Sequence, residues 1–455
     1  MTERAQGGSG NSGRPPALNG RRRPAPFRVA NRLLDLLWTS RLASPPALTA
    51  EALAQEAVEQ AGLEDFGDPW FQDPLRILLE SLVEEAELNP VGRIVARIHC
   101  RKLLRERLWA ASWFRDHPEI RERPIAAPVV VVGPMRSGTT RLHRLLAADE
   151  RFAHLRLFET ICPVPKPPAL NGHGPHPRDV VMNGHDPRPK TAARFLGLLH
   201  RANPATAIVH PTGPREPEEE LGLLVASAWG MKHEAQWRVP SYARWCEAAD
   251  AAPAYAHMAD LLRLTGWLRD DDPGKPWLLK TPQHMLDLPA LLTVFPDARI
   301  LFIHRDPAAV VGSSCSMVWN QMSVQSDRAD ARWIGREWMR KTRLKVDRMT
   351  AARAQVPAAR MIDVHYDEME RDWRAVMARI YRFLDLDIVP AETAMTAYIA
   401  RAESDRVFRA HAYDLASFGL EAGEVRERFA DYVADFAVPA GPDRSNGDGA
   451  QALRR

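Results

Sequence analysis

A glycine-rich stretch, "GPMRSGTT" from Gly133 to Thr140, follows a short run of valines and has residues suited to holding an anion. Ser137 and Gly138 allow a tight turn that exposes backbone N–H groups. Thr139 and Thr140 then begin a helix whose positive end faces the same space. The spacing predicts a loop that cradles a phosphate or a similar group.

The cation of this loop is displaced from its usual position. In the Walker A pattern a lysine directly follows the second glycine and reaches the outer phosphates of a nucleotide. Here Thr139 occupies that position, and the nearest cation is Arg136, at the front of the loop. The loop therefore fits a ligand other than the end of a nucleoside triphosphate.

A second candidate anion site begins at "FIHRDPAAVVGSS". Arg305 follows a predicted strand, at the edge where open parallel sheets bind ligands. Asp306 and Pro307 suit the start of a helix, and Ser313 lies about two turns along it. An arginine fork completed by a serine hydroxyl can bind a separate phosphate.

These two motifs together resemble the sulfotransferases that use 3′-phosphoadenosine 5′-phosphosulfate (PAPS). The phosphosulfate loop of that family reads like "RSGTT", and its 3′-phosphate motif has the spacing of Arg305 and Ser313. The resemblance continues in "LLKTPQHM", "VFPDARILFIHRDP", "GLEDFGD" and "EAELNP", and covers roughly residues 45–435. It implies PAPS as donor, 3′-phosphoadenosine 5′-phosphate (PAP) as product, and no required metal, because the transferring group carries less charge than a γ-phosphoryl group.

The resemblance also implies catalytic residues. Arg136 and Lys280 are candidates for neutralising charge on the leaving oxygen. Two residues compete for the general base: Glu159, which matches the glutamate of the tyrosylprotein sulfotransferases, and His284, which is displaced by two residues so that Pro282 takes the family's histidine position. We favour Glu159 as the general base, because its register matches that of the family. His284 would then orient Lys280 or bind the acceptor.

Other polar groups give weaker signals. The stretch "PREPEEELGLL" has a counterpart in the family that lines the acceptor cleft, which makes Glu218 and Glu219 further candidates. His173, His176 and His185 lie in a Pro/Gly-rich loop at 163–190, but their spacing is not that of a metal site. We therefore predict no metal ligands.

The elements around these motifs predict an α/β fold with a P-loop-type parallel sheet flanked by helices. Strands are expected at "PVVVV", "WLLK", "RILFIH" and "RMIDVH", with helices between them. The predicted organisation is a disordered basic tail at 1–26, an α-helical region at 27–124, the α/β domain at 125–440 and a disordered tail at 441–455. A helical acceptor or lid insertion is expected at about 163–270.

Composition limits the class of protein. The 455 residues carry a formal net charge of +3, and part of the basic excess lies in "GRRRPAPFR", so general nucleic-acid binding is not expected. The four cysteines have no metal or redox spacing, and Arg32, Asp35 and Arg41 interrupt the apolar run that follows the N-terminal arginines. We expect a cytoplasmic protein without a signal peptide or membrane span.

Two other functions stay open from the sequence. An ATP-dependent P-loop kinase would need a phosphate-binding lysine and a Mg²⁺ carboxylate, neither of which is evident. A non-catalytic nucleotide-binding scaffold would not need Arg136, Lys280 and Glu159 together. The acceptor hydroxyl, on a small molecule, lipid or carbohydrate, and the oligomeric state are not specified by these patterns.

Overall fold

The computed structural model describes residues 25–167, 177–204, 206, 212–404 and 414–441. The two segments predicted to be disordered lie outside this part of the chain except at 25, 26 and 441. His173 and His176 also lie outside it. The prediction placed residues 25 and 26 in the tail, but they begin the first helix.

A four-stranded parallel sheet forms the centre of the fold, which confirms the predicted class. Its strands are β1 (Val129–Val132), β2 (Leu278–Lys280), β3 (Arg299–His304) and β4 (Met361–His365). Their order is β2-β1-β3-β4, and every neighbouring pair is parallel. All carboxyl ends therefore meet at one edge, where the two candidate anion motifs also begin.

Both faces of this sheet are buried, which explains the continuous apolar runs of its strands. Val130 and Val132 of β1 face one core cluster, which extends to the N-terminal helices through side chains such as Leu104. Val129 and Val131 face a second, smaller cluster on the other side. The central strand is thus fixed from both sides, and the loop that follows it starts from a rigid position.

Helices make up the N-terminal region, as predicted. They are α1 (Ala25–Thr39), α2 (Ala50–Ala61), α3 (Gln72–Glu84), α4 (Pro90–Asp116) and α5 (Glu119–Glu122), with a 3₁₀ turn at Pro69–Phe71. At the start of α4 the Asn89 side chain accepts a hydrogen bond from the Gly92 N–H at 2.8 Å, and Pro90 occupies the first turn.

The chain between β1 and β2 is also mainly helical. Its helices are α6 (Thr139–Leu146), α7 (Leu157–Ile161), α8 (Pro177–Met182), α9 (Arg188–Ala202), α10 (Leu221–Val225), α11 (Met231–Gln236), α12 (Pro240–Ala248) and α13 (Ala252–Arg269). This excursion carries several acidic side chains to the ligand edge of the sheet.

The remaining helices cover the sheet and continue beyond β4. They are α14 (His284–Val294), α15 (Pro307–Gln325), α16 (Ala331–Arg353), α17 (Tyr366–Arg371), α18 (Trp373–Phe383), α19 (Val389–Ser404), α20 (Ala422–Arg428) and α21 (Ala430–Asp435), with 3₁₀ turns at Ala358–Arg360 and Ala416–Phe418. In the part of the chain that is described, no helix is both long and apolar enough to cross a bilayer.

Candidate functional site

The glycine-rich loop joins β1 to α6 in a closed turn. Gly138 has φ = 88°, and a Cβ atom there would lie 2.7 Å from Cδ2 of Tyr366. A Cβ on Gly133 would collide with the Ile303 side chain of β3. Arg136 also has a positive φ, 67°, which is uncommon for a residue with a side chain. The loop thus depends on glycine at both ends and holds Arg136 in a specific backbone conformation.

Arg136, Arg305 and Ser313 come together, although they lie far apart in the sequence. The Arg136 Nε donates a hydrogen bond to Ser313 Oγ at 3.0 Å. Arg305 Nη1 donates to the backbone oxygen of Arg136. The two predicted anion sites are therefore directly linked, with two guanidinium groups and one hydroxyl at their junction.

Tyr366 connects the same two sites, and sequence reasoning missed it. The Arg305 guanidinium carbon lies 3.7 Å from the centre of the Tyr366 ring, which is a close cation–π contact. The Cδ2 and Cε2 atoms of the same ring lie beside Gly138. The available signal was its position directly after β4, at the ligand edge of the sheet.

Residues on either side of Arg305 are held by the C-terminal helices. The His304 Nδ1 lies 3.1 Å from the Tyr432 hydroxyl, and its ring stacks on Phe436. Asp306 accepts from the Ala308 N–H at the start of α15 and pairs with Arg426 at 2.9 Å. These contacts limit how far Arg305 can move.

Lys280 lies at the end of β2, next to the loop. Its Nζ donates to Thr140 Oγ1 at 3.3 Å and to Glu219 Oε1 at 2.5 Å. The lysine is fully buried, while Glu219 is 18% exposed. An ammonium group and a partly accessible carboxylate therefore stand beside the start of α6.

His284 has a polar neighbour on each side of its ring. Its Nε2 lies 2.5 Å from Glu220 Oε1, and its Nδ1 lies 2.9 Å from the Tyr255 hydroxyl. Glu220 Oε2 also accepts the backbone N–H of Lys280 at 2.9 Å. His284 is completely buried. Its contacts with Glu220 and Tyr255 connect the backbone of Lys280 to α13.

Glu159 lies in a different environment. Its carboxylate accepts from Arg269 Nε at 2.8 Å, from Arg269 Nη2, and from the Arg156 N–H at 2.8 Å as part of a capping box of α7. Burial favours the neutral carboxyl, but the Arg269 guanidinium outweighs it and lowers the pKa of Glu159. The side chain is 1% exposed.

Glu218 and His143 are also buried, and His143 lies close enough to Lys280 to feel its charge. Glu218 accepts from Thr212 Oγ1 at 3.2 Å, whereas neither ring nitrogen of His143 has a hydrogen-bond partner among the described residues. Burial and the positive charge of Lys280 lower the pKa of His143 well below its usual value. Among described residues, no group of three His, Cys, Asp or Glu side chains is arranged to hold a metal ion.

Comparison with known proteins gives a consistent result. The model of the Sulfotransferase family matches residues 128–390, more than half of the chain. The crystal structure of sulfotransferase STF1 from Mycobacterium tuberculosis H37Rv matches at 31% identity and a TM-score of 0.72, covering 86% of this chain and 100% of that one. Sulfotransferase STF9 from Mycobacterium avium matches at 27% identity and a TM-score of 0.75, covering 88% of this chain and 99% of that one. A comparison with curated protein sequences gave no match.

Proposed function

The chain belongs to the sulfotransferase family, which confirms the resemblance noted in the sequence, and from this premise we propose that it transfers a sulfuryl group from PAPS to an acceptor hydroxyl. The products are a sulfate ester and PAP. The observation that carries the proposal is the hydrogen bond between Arg136 of the loop and Ser313 of α15, with Arg305 bound to the Arg136 carbonyl. This hydrogen bond brings the two anion sites together. PAPS carries a 3′-phosphate and a 5′-phosphosulfate, so it needs two such sites close to each other.

In this proposal the two sites bind different ends of one nucleotide. The loop N–H groups and the hydroxyls of Thr139 and Thr140 hold the 5′-phosphosulfate, at the positive end of α6. Arg305 and Ser313 hold the 3′-phosphate. The donor supplies the sulfuryl group. The residues of the chain orient the donor and neutralise the charge that develops on the leaving oxygen.

The position of the lysine supports PAPS over ATP. Thr139 stands where a Walker lysine would extend along a triphosphate. Lys280 instead comes from the neighbouring strand and contacts Thr140 at the first turn of α6. Its ammonium group is thus available to the oxygen that leaves the sulfur, together with Arg136.

We propose Glu219 as the general base. Its carboxylate contacts Lys280 and is partly accessible, so an acceptor hydroxyl can approach it while the ammonium group remains nearby. Glu219 removes the hydroxyl proton as the acceptor oxygen attacks, and Lys280 stabilises the charge that develops on the leaving oxygen.

Glu159 and His284, the two bases considered from the sequence, have other roles in this proposal. Glu159 is 1% exposed and bound to Arg269 and Arg156, so an acceptor hydroxyl has less access to it than to Glu219, which is 18% exposed. Its pKa is also lowered. Its ion pair fixes α7 against α13. His284 positions Lys280 through Glu220.

The helical excursion between β1 and β2 carries Glu219, and we propose that it also lines the acceptor cleft. The acceptor is a hydroxyl-bearing small molecule, lipid or carbohydrate. We place the reaction in the cytoplasm, because the four cysteines are unpaired, as is typical of proteins in a reducing compartment.

Calorimetric titration of the full chain with PAP and, separately, with ATP and Mg²⁺ tests the donor. We expect PAP to bind at least about tenfold more tightly than ATP, because only PAP occupies both anion sites. Transfer of labelled sulfate from PAPS to a panel of hydroxyl acceptors tests the reaction itself. Preference for ATP would favour a kinase, and PAP binding without turnover on any acceptor would favour a nucleotide-binding scaffold.

A further inference from the structure

Helix α1 has an apolar stripe that points away from the protein. Val29, Leu33, Leu36 and Leu37 recur at helical spacing, and between 39% and 64% of each side chain is exposed. The next exposed leucine, Leu42, lies three residues beyond the end of the helix. Exposed apolar groups that form a continuous stripe indicate an interaction surface, whereas scattered ones do not.

The opposite side of α1 is the one that attaches it to the body. Asn31 is buried, and its Oδ1 accepts a hydrogen bond from the Val91 N–H at 2.9 Å, in the first turn of α4. Asn31 lies about half a turn from the stripe. The helix is therefore docked by one face, and its outer stripe is not needed for that contact.

Positive charge is concentrated around this helix. Residues 21–41 contain six arginines and a single acidic residue, Asp35, while the formal net charge of all 455 residues is +3. The rest of the chain is thus net negative. Within α1, Arg28 and Arg32 are exposed and lie along one side of the stripe.

These features together favour one class of partner. A nucleic acid offers no apolar layer for four aliphatic side chains. A second copy would bring two segments of the same strong charge together, which like-charge repulsion disfavours. A basic helix with an outward apolar face matches the physics of binding at an anionic lipid surface.

We propose that α1, through its apolar stripe and the exposed Arg28 and Arg32, binds the surface of anionic membranes. Val29, Leu33, Leu36 and Leu37 insert between lipid headgroups, and the arginines contact lipid phosphates. The helix lies in the plane of the surface and does not cross it. This inference is independent of the proposed reaction.

Cosedimentation of the full chain with vesicles tests this proposal. One set of vesicles contains equal parts of phosphatidylcholine and phosphatidylglycerol, and the other contains phosphatidylcholine alone. We expect binding to the anionic set to be at least about tenfold stronger, and to weaken with added salt. The double variant Leu33→Glu/Leu36→Glu should reduce it by about tenfold or more.

A matched control separates the stripe from general surface charge. Val389→Glu places the same charge at an exposed aliphatic residue of α19 and should leave vesicle binding intact. An unchanged circular dichroism spectrum and unchanged PAP affinity show that each variant is folded. Absence of binding to the anionic vesicles, or equal loss in the control, overturns the proposal. So does a stable dimer that the double variant dissociates, which would make a second copy the occupant of the stripe.

Discussion

The Nζ atom of Lys280 lies 2.5 Å from Glu219 Oε1 and 3.3 Å from Thr140 Oγ1. One ammonium group thus joins a partly exposed carboxylate to the first turn of the helix after the glycine-rich loop. The carboxylate comes from the helical excursion, the lysine from a strand end and the threonine from the start of α6. This junction is where we expect proton transfer and charge neutralisation to be coupled.

Glu219→Gln should abolish most of the turnover and leave donor binding intact. The amide keeps the size of the side chain and an oxygen for Lys280, but it cannot accept a proton. We expect kcat to fall by about a hundred- to ten-thousand-fold, the usual contribution of a general base. PAP affinity, measured by calorimetry, should stay close to that of the parent chain.

Glu159→Gln is the matched comparison, because it makes the same chemical change at the other candidate. It removes half of a buried ion pair and leaves Arg269 without its full partner, so the free energy of unfolding should fall by up to ~3–5 kcal/mol. Urea unfolding measures that loss. The opposite result would be a Glu159→Gln variant that is as stable as the parent but has lost turnover by about a hundredfold or more. In that case the base is Glu159.

Arg305→Ala should weaken PAP binding selectively. A charge-assisted hydrogen bond contributes about 1.5–3 kcal/mol, so the dissociation constant for PAP should rise by about ten- to a hundred-fold. Ser313→Ala should act in the same direction but more weakly. Adenosine 5′-phosphosulfate, which lacks the 3′-phosphate, serves as the comparison ligand and should bind nearly as before.

The surface arginine Arg328, whose side chain is 78% exposed, provides a control for loss of charge. Arg328→Ala should change neither affinity. An equal loss for PAP and for adenosine 5′-phosphosulfate in Arg305→Ala would remove the assignment of Arg305 to the 3′-phosphate.

The fold was largely predictable from local patterns, because each strand is a short, mainly apolar run and longer helical segments separate these runs. The meeting of Arg136 with Arg305 and Ser313 was predictable for a different reason: parallel strands present their carboxyl ends at a shared edge. The partners of the acidic residues were not predictable. Arg269 follows Glu159 by 110 residues, and only the folded excursion brings them together.

Gly138→Ala should distort the loop more than a positive φ alone explains. A left-handed conformation costs a non-glycine residue about 1–2 kcal/mol. Gly62 has φ = 66° and open space around its missing Cβ, so Gly62→Ala measures that cost alone. At Gly138 the added methyl group also meets the Tyr366 ring, and we expect a further loss of stability together with weakened PAP binding. Equal effects in the two variants would show that the ring moves aside easily.

His143→Leu should reduce the acid sensitivity of the protein. The folded state resists protonation of this buried imidazole, whose pKa is lowered well below the value of about 6.5 expected in the unfolded chain. As the pH falls through about 6.5, the unfolded state therefore gains a proton that the folded state does not, and stability decreases. Each such histidine contributes up to ~1.4 kcal/mol per pH unit.

Among the described residues, five other histidines have lowered pKa values and act with the same sign: His99, His154, His233, His257 and His304. The leucine variant should therefore flatten the dependence of unfolding free energy on pH between about pH 7.5 and about pH 5.5 without abolishing it. Urea unfolding across that range measures the slope. If His143→Leu leaves the slope as steep as in the parent, His143 takes up its proton equally in both states, and the slope has other sources.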